Sequence, residues 1–284
     1  MTVGTRRAAQ FPLRLAQVQT ARGREARADR NGADQSAVRD VLRPQRPLQL
    51  ARDGALQRAS PVGLGMDSAD VRRRMVLRLR RGGICHEGLL DAMTVVPRHQ
   101  FIDAALVAQA YEDTSLPIGH AQTISKPSVV ARMIELLFDG ASARRCGHLG
   151  RVLEIGTGCG YQAAILSRLG RFVISIERIK PLHDRARHAI GTSCADRLRL
   201  VFGDGMLGHA PNAPYDCIIA AAGGDALPEA WLDQLAVGGR LVVPTRQPGE
   251  AGQVLTVVDR TEQGIQRSVR EAVNFVPLKS GLID

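Results

Sequence analysis

Glycines at 156, 158 and 160 follow a short apolar run that ends in an acid, Val152-Leu153-Glu154-Ile155, and precede a helical pattern that starts at Tyr161. Glycines at alternate positions let a strand-to-helix turn bring bare backbone against a ligand, as a nucleoside cofactor requires. A dinucleotide fingerprint needs G-x-G-x-x-G, and Tyr161 stands where its last glycine would fall. NAD and FAD are therefore disfavoured. With no pyrophosphate to cradle, the loop Gly156-Thr157-Gly158-Cys159-Gly160 suits the amino-acid and ribose portions of S-adenosyl-L-methionine. Glu154 is expected as an anion facing the cationic end of that cofactor. The plain alternative is a tight turn with no ligand.

Two more acids fit the same site. Glu177 ends the next apolar run, 21 residues past Gly156, where a carboxylate can accept two hydrogen bonds from ribose hydroxyls. A strand-terminal acid paired with Arg178 or Lys180 is the competing explanation. Asp204 and Gly205 end the third run and are expected at an adenine amino group, the glycine allowing close approach. Gly-Asp-Gly is also common turn chemistry. Three acids ending three successive strands carry more weight together, because ligands sit outside the carboxyl ends of parallel strands.

The elements that must position these residues alternate regularly. Strands are expected at Val152 to Ile155, Phe172 to Glu177, Leu198 to Phe202, Asp216 to Ala221 and Arg240 to Pro244, with helices after the first, second and fourth. Such alternation implies an α/β fold with a doubly wound, mostly parallel sheet. Gln253 to Val258 and Val269 to Val276 read as late antiparallel strands. Upstream, Val71, Met75 and Leu79 recur at helical spacing, and Leu89, Leu90 and Met93 form a second stripe, so small helices precede the sheet. Thr123 to Pro127 reads as a loop feeding an amphipathic helix marked by Val129, Val130, Met133, Ile134 and Leu137.

Composition sets the limits. The chain has 284 residues and a formal charge of +10, but residues 1–65 hold twelve Arg against five acids, so most of the basicity belongs to that extension. With no sustained apolar period, residues 1–65 are expected to be a disordered Arg-rich arm, or else to lie upstream of a start at Met66. Five acids fit a transit peptide poorly, and no signal-peptide apolar core is seen. Residues 66–284 form the expected folded domain. The five cysteines show no C-x-x-C and no even framework, and the histidines no H-x-x-x-H pair, so neither a disulfide scaffold nor a metal site is expected. Apolar runs are too short to span a bilayer.

Several segments carry a family resemblance. Leu116-Pro117-Ile118-Gly119-His120-Ala121-Gln122-Thr123-Ile124-Ser125-Lys126-Pro127, the Glu154 to Tyr161 loop, Ile176-Glu177-Arg178, Gly203-Asp204-Gly205, Gly238-Gly239-Arg240-Leu241 and Phe275-Val276-Pro277-Leu278 together resemble the protein-L-isoaspartate O-methyltransferase family. The match runs from about Met66 to the C-terminus, and Thr-Ile-Ser-x-Pro is its most specific piece.

The resemblance implies a Rossmann-like, class I S-adenosylmethionine-dependent methyltransferase that esterifies the free α-carboxylate of L-isoaspartyl residues in damaged proteins and peptides. It implies Ser125 as the active-site serine, Thr123 and Ile124 beside the cofactor, and Ala221 and Ala222 lining the peptide cleft. Taken alone, Ser125 before Lys-Pro and an apolar helix is an ordinary N-cap. Lys126, Ser128 and Cys159 depart from the usual pattern, and Gly223-Gly224 is expected to loosen the segment after Ala222. Cys159 reads as a small packed residue, and His120 and His209 as loop residues. A cytoplasmic monomer is expected, with no membrane and no specific nucleic-acid partner. The rivals are a methyltransferase of the same fold that acts on RNA or a small molecule through the Arg-rich arm, and a binding protein that keeps the fold without the activity.

Overall fold

The computed structural model describes residues 69–191, 196–247 and 252–284. The expectations for residues 1–65 and for a start at Met66 lie outside the described residues.

Seven strands form the central sheet: β3 (Arg151–Ile155), β4 (Phe172–Glu177), β5 (Leu198–Phe202), β6 (Tyr215–Ala220), β7 (Leu235–Arg246), β8 (Gln253–Thr261) and β9 (Gly264–Val273). Their order across the sheet is β5-β4-β3-β6-β7-β8-β9. The first five pair in parallel, and β8 and β9 add antiparallel strands at one edge. This is the doubly wound, mostly parallel α/β sheet expected from the alternation of patterns.

Parallel strands covered on both faces must be apolar on both, and here the period of two sorts each residue to its core. Val152, Val173, Cys217, Ile219 and Val242 pack on one side. Leu153, Ile155, Ile174, Ile176, Ile218 and Leu241 pack on the other, around Trp231 and Tyr215. By the same alternation Glu154, Ser175 and Glu177 share the first face, so these three polar residues fall together. Helices α5 (Tyr161–Leu169), α6 (Lys180–Ile190) and α7 (Glu229–Gln234) follow β3, β4 and β6.

Ahead of the sheet stand α1 (Ala69–Arg81), α2 (Glu87–Val95), α3 (Pro127–Phe138) and α4 (Ala141–Cys146). Met75 and Leu79, with Leu89, Leu90 and Met93, are buried as their helical spacing requires. Two 3₁₀ turns, Arg98–Phe101 and Ala104–Gln109, link α2 to the segment that follows.

The stretch before α3 is more ordered than a loop. Leu116–Gly119 (β1) and Gln122–Ile124 (β2) form an antiparallel hairpin in which Leu116 pairs with Ile124 and Pro117 with Thr123. Its turn is left-handed at Gly119 (φ 90°), His120 (φ 52°) and Ala121 (φ 54°). Glycine takes that conformation freely, whereas histidine and alanine meet a steric penalty there.

Replacing Ala121 by Gly should relieve that penalty and raise stability by about 0.5–1 kcal/mol, after allowing for the extra freedom glycine gives the unfolded chain. Ala121→Val should act in the opposite direction. Urea midpoints of the three proteins test this, and a midpoint for Ala121→Gly at or below the parent's would show that the turn is unstrained.

Candidate active site

Strand β3 lies between β4 and β6; the chain runs from β3 to β4 on one side and from β6 to β7 on the other, and a crevice opens at the carboxyl ends of the two central strands β3 and β6. A cavity occupies that crevice. Its walls are the Gly156 to Cys159 loop after β3, Glu177 to Ile179 after β4, Gly205 after β5, Ala221 and Ala222 after β6, the hairpin arm Gln122 to Ser125, and Val276 to Lys279 near the C-terminus.

All three loop glycines have positive φ: 90° at Gly156, 55° at Gly158 and 94° at Gly160. A Cβ on Gly160 would also come within 2.9 Å of the Ile190 side chain on α6. Thus Gly156 and Gly158 face the cavity, whereas Gly160 is small so that α6 can pack. The loop is tied to β4 by hydrogen bonds from the Gly156 and Thr157 amides to the Ile176 carbonyl, and from the Gly158 amide to the Glu177 carboxylate at 2.8 Å.

Glu177 lies on the cavity wall and is nearly fully buried. One carboxylate oxygen accepts from Gly158 and the other from the Ile179 amide at 2.9 Å. Each oxygen keeps a further lone pair, and the group is fixed in orientation. It pairs with neither Arg178 nor Lys180, since Lys180 binds Asp184 and Arg178 binds the carbonyls of Ser280 and Gly281.

Glu154 behaves differently. It is fully buried beneath the loop and absent from the cavity wall. The Ser175 hydroxyl donates to it, and with that proton committed, the Thr157 hydroxyl donates to Ser175 at 2.6 Å. Burial pushes the Glu154 carboxyl up to about 8, against the hydrogen bond from Ser175, so it is mostly neutral at pH 7. An anion facing the cofactor is not what this position offers. It is a neutral strut under Thr157.

Asp204 is engaged elsewhere as well. One carboxylate oxygen caps the Met206 amide at 2.9 Å, and the other accepts from the Ser280 hydroxyl at 2.6 Å and the Gly281 amide at 2.7 Å. These bonds, together with Arg178, hold the carboxyl below its ordinary value despite some burial. Asp204 therefore pins the C-terminal tail that borders the cavity and is itself off the wall, whereas Gly205, the other residue expected at the adenine, does line it. Gly205 is small for a further reason: a Cβ there would lie 2.6 Å from the Ile155 side chain.

Ser125 lies on the wall of this cavity and of a second cleft beside it, as do Thr123 and Ala221. Ser125 is not a helix cap, because Lys126 holds the N-cap position of α3 without a side-chain cap bond. Its hydroxyl has no hydrogen-bond partner among the described residues, and its carbonyl accepts from Arg98 at 2.8 Å. Ile124 is buried behind it. Gly223-Gly224 does not loosen its segment. The Gly223 amide donates to the Val276 carbonyl, the Leu278 amide donates to the Gly223 carbonyl, and a Cβ on Gly223 would clash with Gln253 at 2.6 Å. Cys159 is buried, and burial pushes its thiol up, as suits a packed residue.

Three contributors were not singled out by motif. Arg98 is wholly buried, donates to the carbonyls of Ala110 and Ser125, and stacks its guanidinium 4.8 Å from the centre of the Tyr161 ring. Ser175, bonded to Glu154 and Thr157, and Gln162, which borders the cavity, complete the set. A polar residue inside a doubly buried strand is the signal that could have marked Ser175, whereas Arg98, beside His99 and Gln100, carries no such signal.

A nucleoside fits these residues: left-handed glycines leave space that side chains would fill, and a fixed carboxylate has free lone pairs. The comparisons agree with that outline. Residues 70–282 match the model of the protein-L-isoaspartate(D-aspartate) O-methyltransferase family. A protein-L-isoaspartate O-methyltransferase of Methylibium petroleiphilum is 54% identical over 282 residues, 99% of each chain. One from Leptothrix cholodnii is 58% identical over 243 residues, 85% of each chain. Among solved structures, a protein-L-isoaspartate O-methyltransferase superposes with a TM-score of 0.66 at 27% identity, covering 75% of this chain and 67% of that one. A β-aspartate methyltransferase from Plasmodium falciparum, in complex with S-adenosyl-L-homocysteine, superposes at 0.62 with 23% identity, covering 73% of this chain and 98% of that one, and shows the same fold.

The neutral state of Glu154 has a measurable consequence. Its folded-state value near 8 lies above the ordinary 4.5, so between those limits the unfolded chain gives up a proton that the native state keeps. Stability from this residue is therefore highest below 4.5, falls as pH rises to about 8, and is flat beyond. Glu154→Gln, which mimics the neutral acid, should gain stability relative to the parent between pH 5 and pH 8.5, on the order of 2–4 kcal/mol. Denaturation at the two pH values measures it, and an equal difference at both would mean that Glu154 is ionised in the native protein.

Proposed function

The chain belongs to the protein-L-isoaspartate(D-aspartate) O-methyltransferase family, and from that premise we infer how its residues divide the work. The enzyme transfers a methyl group from S-adenosyl-L-methionine to the free α-carboxylate of L-isoaspartyl residues in damaged proteins and peptides. In the resulting ester a backbone nitrogen attacks the carbonyl, methanol leaves, and the succinimide hydrolyses in part to normal aspartate.

The observation that carries the assignment of residues is the shared wall. Thr123, Ser125 and Ala221 border both the crevice cavity and the adjoining cleft, so two ligands filling those spaces would meet at Ser125. When bound, the cofactor supplies an electrophilic methyl on a sulfonium. Glu177 would accept the ribose hydroxyls with the lone pairs that Gly158 and Ile179 leave free. Gly156, Thr157 and Gly158 would hold the amino-acid portion against bare backbone, with Gly160 packed against α6 behind them. Gly205 and the Val276 to Lys279 tail would cover the base. Thr123 and Ile124 would border the sulfonium region, with Ala221 and Ala222 floor to the peptide.

Ser125 would donate its unpaired hydroxyl to the substrate carboxylate. No general base is required, because an α-carboxyl with a pKa near ~3.5 is already ionised at neutral pH. The protein's contribution is alignment, which can supply up to roughly 7–11 kcal/mol of the barrier. Among the described residues, no helix is long and apolar enough to cross a membrane. The scattered cysteines support a reducing, cytoplasmic setting.

Labelled S-adenosyl-L-methionine with an isoaspartyl peptide and its aspartyl twin tests the assignment. Label should enter the isoaspartyl peptide alone, and Ser125→Ala should lower kcat/KM about 10- to 100-fold, the loss of one hydrogen bond to a charged group. Equal labelling of the twins, or none, would overturn it. By titration calorimetry Glu177→Ala should weaken cofactor binding about tenfold or more, and unchanged affinity would remove the ribose role.

A further inference from the structure

We propose that the peptide cleft contains a charge-selecting subsite, in which the Lys126 ammonium receives the carboxylate of an acidic residue flanking the isoaspartyl in the substrate. The proposal rests on the functional reading above and deepens it.

The cleft beside the cofactor cavity is bordered on one side by Thr123, Ser125, Lys126 and Val129, and on the other by the end of β9 and the residues that follow it, Asn274 and Phe275 among them. Of the residues on its wall, Lys126 alone is ionisable. Ser125 and Thr123 face both spaces, but Lys126 faces only the peptide cleft. Its ammonium therefore lies outward from the point of methyl transfer, along the path of the peptide, and the carboxylate it would meet is not the one being esterified.

The surroundings leave that charge unspent. Lys126 is exposed and has no carboxylate within ion-pair distance among the described residues. The nearby acids are engaged: Asp113 accepts from the Ser128 amide and hydroxyl, and Glu271 of β9 is paired with Arg132 at 2.7 Å. The base of the side chain is rigid. Lys126 is the N-cap of α3 in extended conformation (φ −60°, ψ 148°), Pro127 follows, and its carbonyl accepts from the Val129 and Val130 amides. A lysine anchored this way and free at its tip suits a partner whose position varies from one damaged protein to the next.

Isoaspartyl peptides that differ only in one flanking residue, Glu, Gln or Lys, placed at each of the two positions on either side, test the subsite. For the wild-type enzyme at low ionic strength, kcat/KM for the Glu peptide should exceed that for the Gln peptide about two- to fivefold at one or more positions, with the Lys peptide lowest. The preference should shrink at high salt. Lys126→Arg should retain it, Lys126→Gln should bring the ratio near one, and Lys126→Glu should invert it. Each ratio is taken within one variant, so any general loss of activity cancels. A wild type that labels the Gln peptide but shows no charge preference overturns the subsite alone, as does a preference that survives in Lys126→Glu. Absence of labelling in every peptide overturns the methyl-transfer assignment and the subsite with it.

Discussion

The hydrogen bond from the Gly158 amide to the Glu177 carboxylate, 2.8 Å long, joins the two halves of the cofactor cavity. It makes the shape of the glycine loop depend on β4, and it sets the direction in which Glu177 points. Register makes the bond possible. Glu154 pairs laterally with Ser175 and Ile155 with Ile176, so Glu177 stands one step beyond the end of β3, level with the loop. Glu154, two places behind on the same face, has no such outlet and is sealed under Thr157 with Ser175. Two acids from neighbouring strands thereby acquire opposite roles. One is solvated by backbone amides and keeps acceptor capacity for a ligand, while the other is desolvated into neutrality.

The C-terminal tail closes the construction. Asp204 holds Ser280 and Gly281, and the Ile283 amide and carbonyl pair with Arg178 and Lys180 of the segment after β4. Gly223 is meanwhile bonded on both sides to Val276 and Leu278. Residues 276–279 are thus pinned from both flanks while they border the cavity. The strain in the Gly119 to Ala121 turn belongs to the same logic, since that turn presents Thr123 and Ser125 from the opposite side.

The periodic parts of this arrangement were legible in the sequence. Alternation of β-rich and helical runs produced the sheet, and G-x-G-x-G implied a backbone-lined turn whose glycines all prove left-handed. What composition and spacing could not tell is which strand-end acid would be free. That depends on lateral register for Glu154 and on a partner 76 residues away for Asp204. The hairpin carrying Thr123 escaped notice because strands of four and three residues are too short for a period to appear, and non-glycine residues in its turn hide the usual signal. Arg98 escaped because its partners are backbone carbonyls, which leave no trace in side-chain patterns.

The electrostatics of the site follow from the reaction. A carboxylate and a sulfonium combine to give two neutral products, so charge disappears along the path. A cation touching the nucleophile would stabilise the ground state more than the transition state and slow the transfer. Thr123, Ile124, Ser125, Ala221 and Ala222, the residues proposed to border the meeting point, are all uncharged. Arg98 lies behind Ser125, but it is directed to main-chain carbonyls and the face of Tyr161, which positions the serine without placing a guanidinium on the substrate. In the proposed arrangement Lys126 stands outside on the peptide side and Glu177 on the ribose side. In this proposed arrangement charge is kept to the margins, where it can sort and hold ligands, and only neutral hydroxyls are left at the centre.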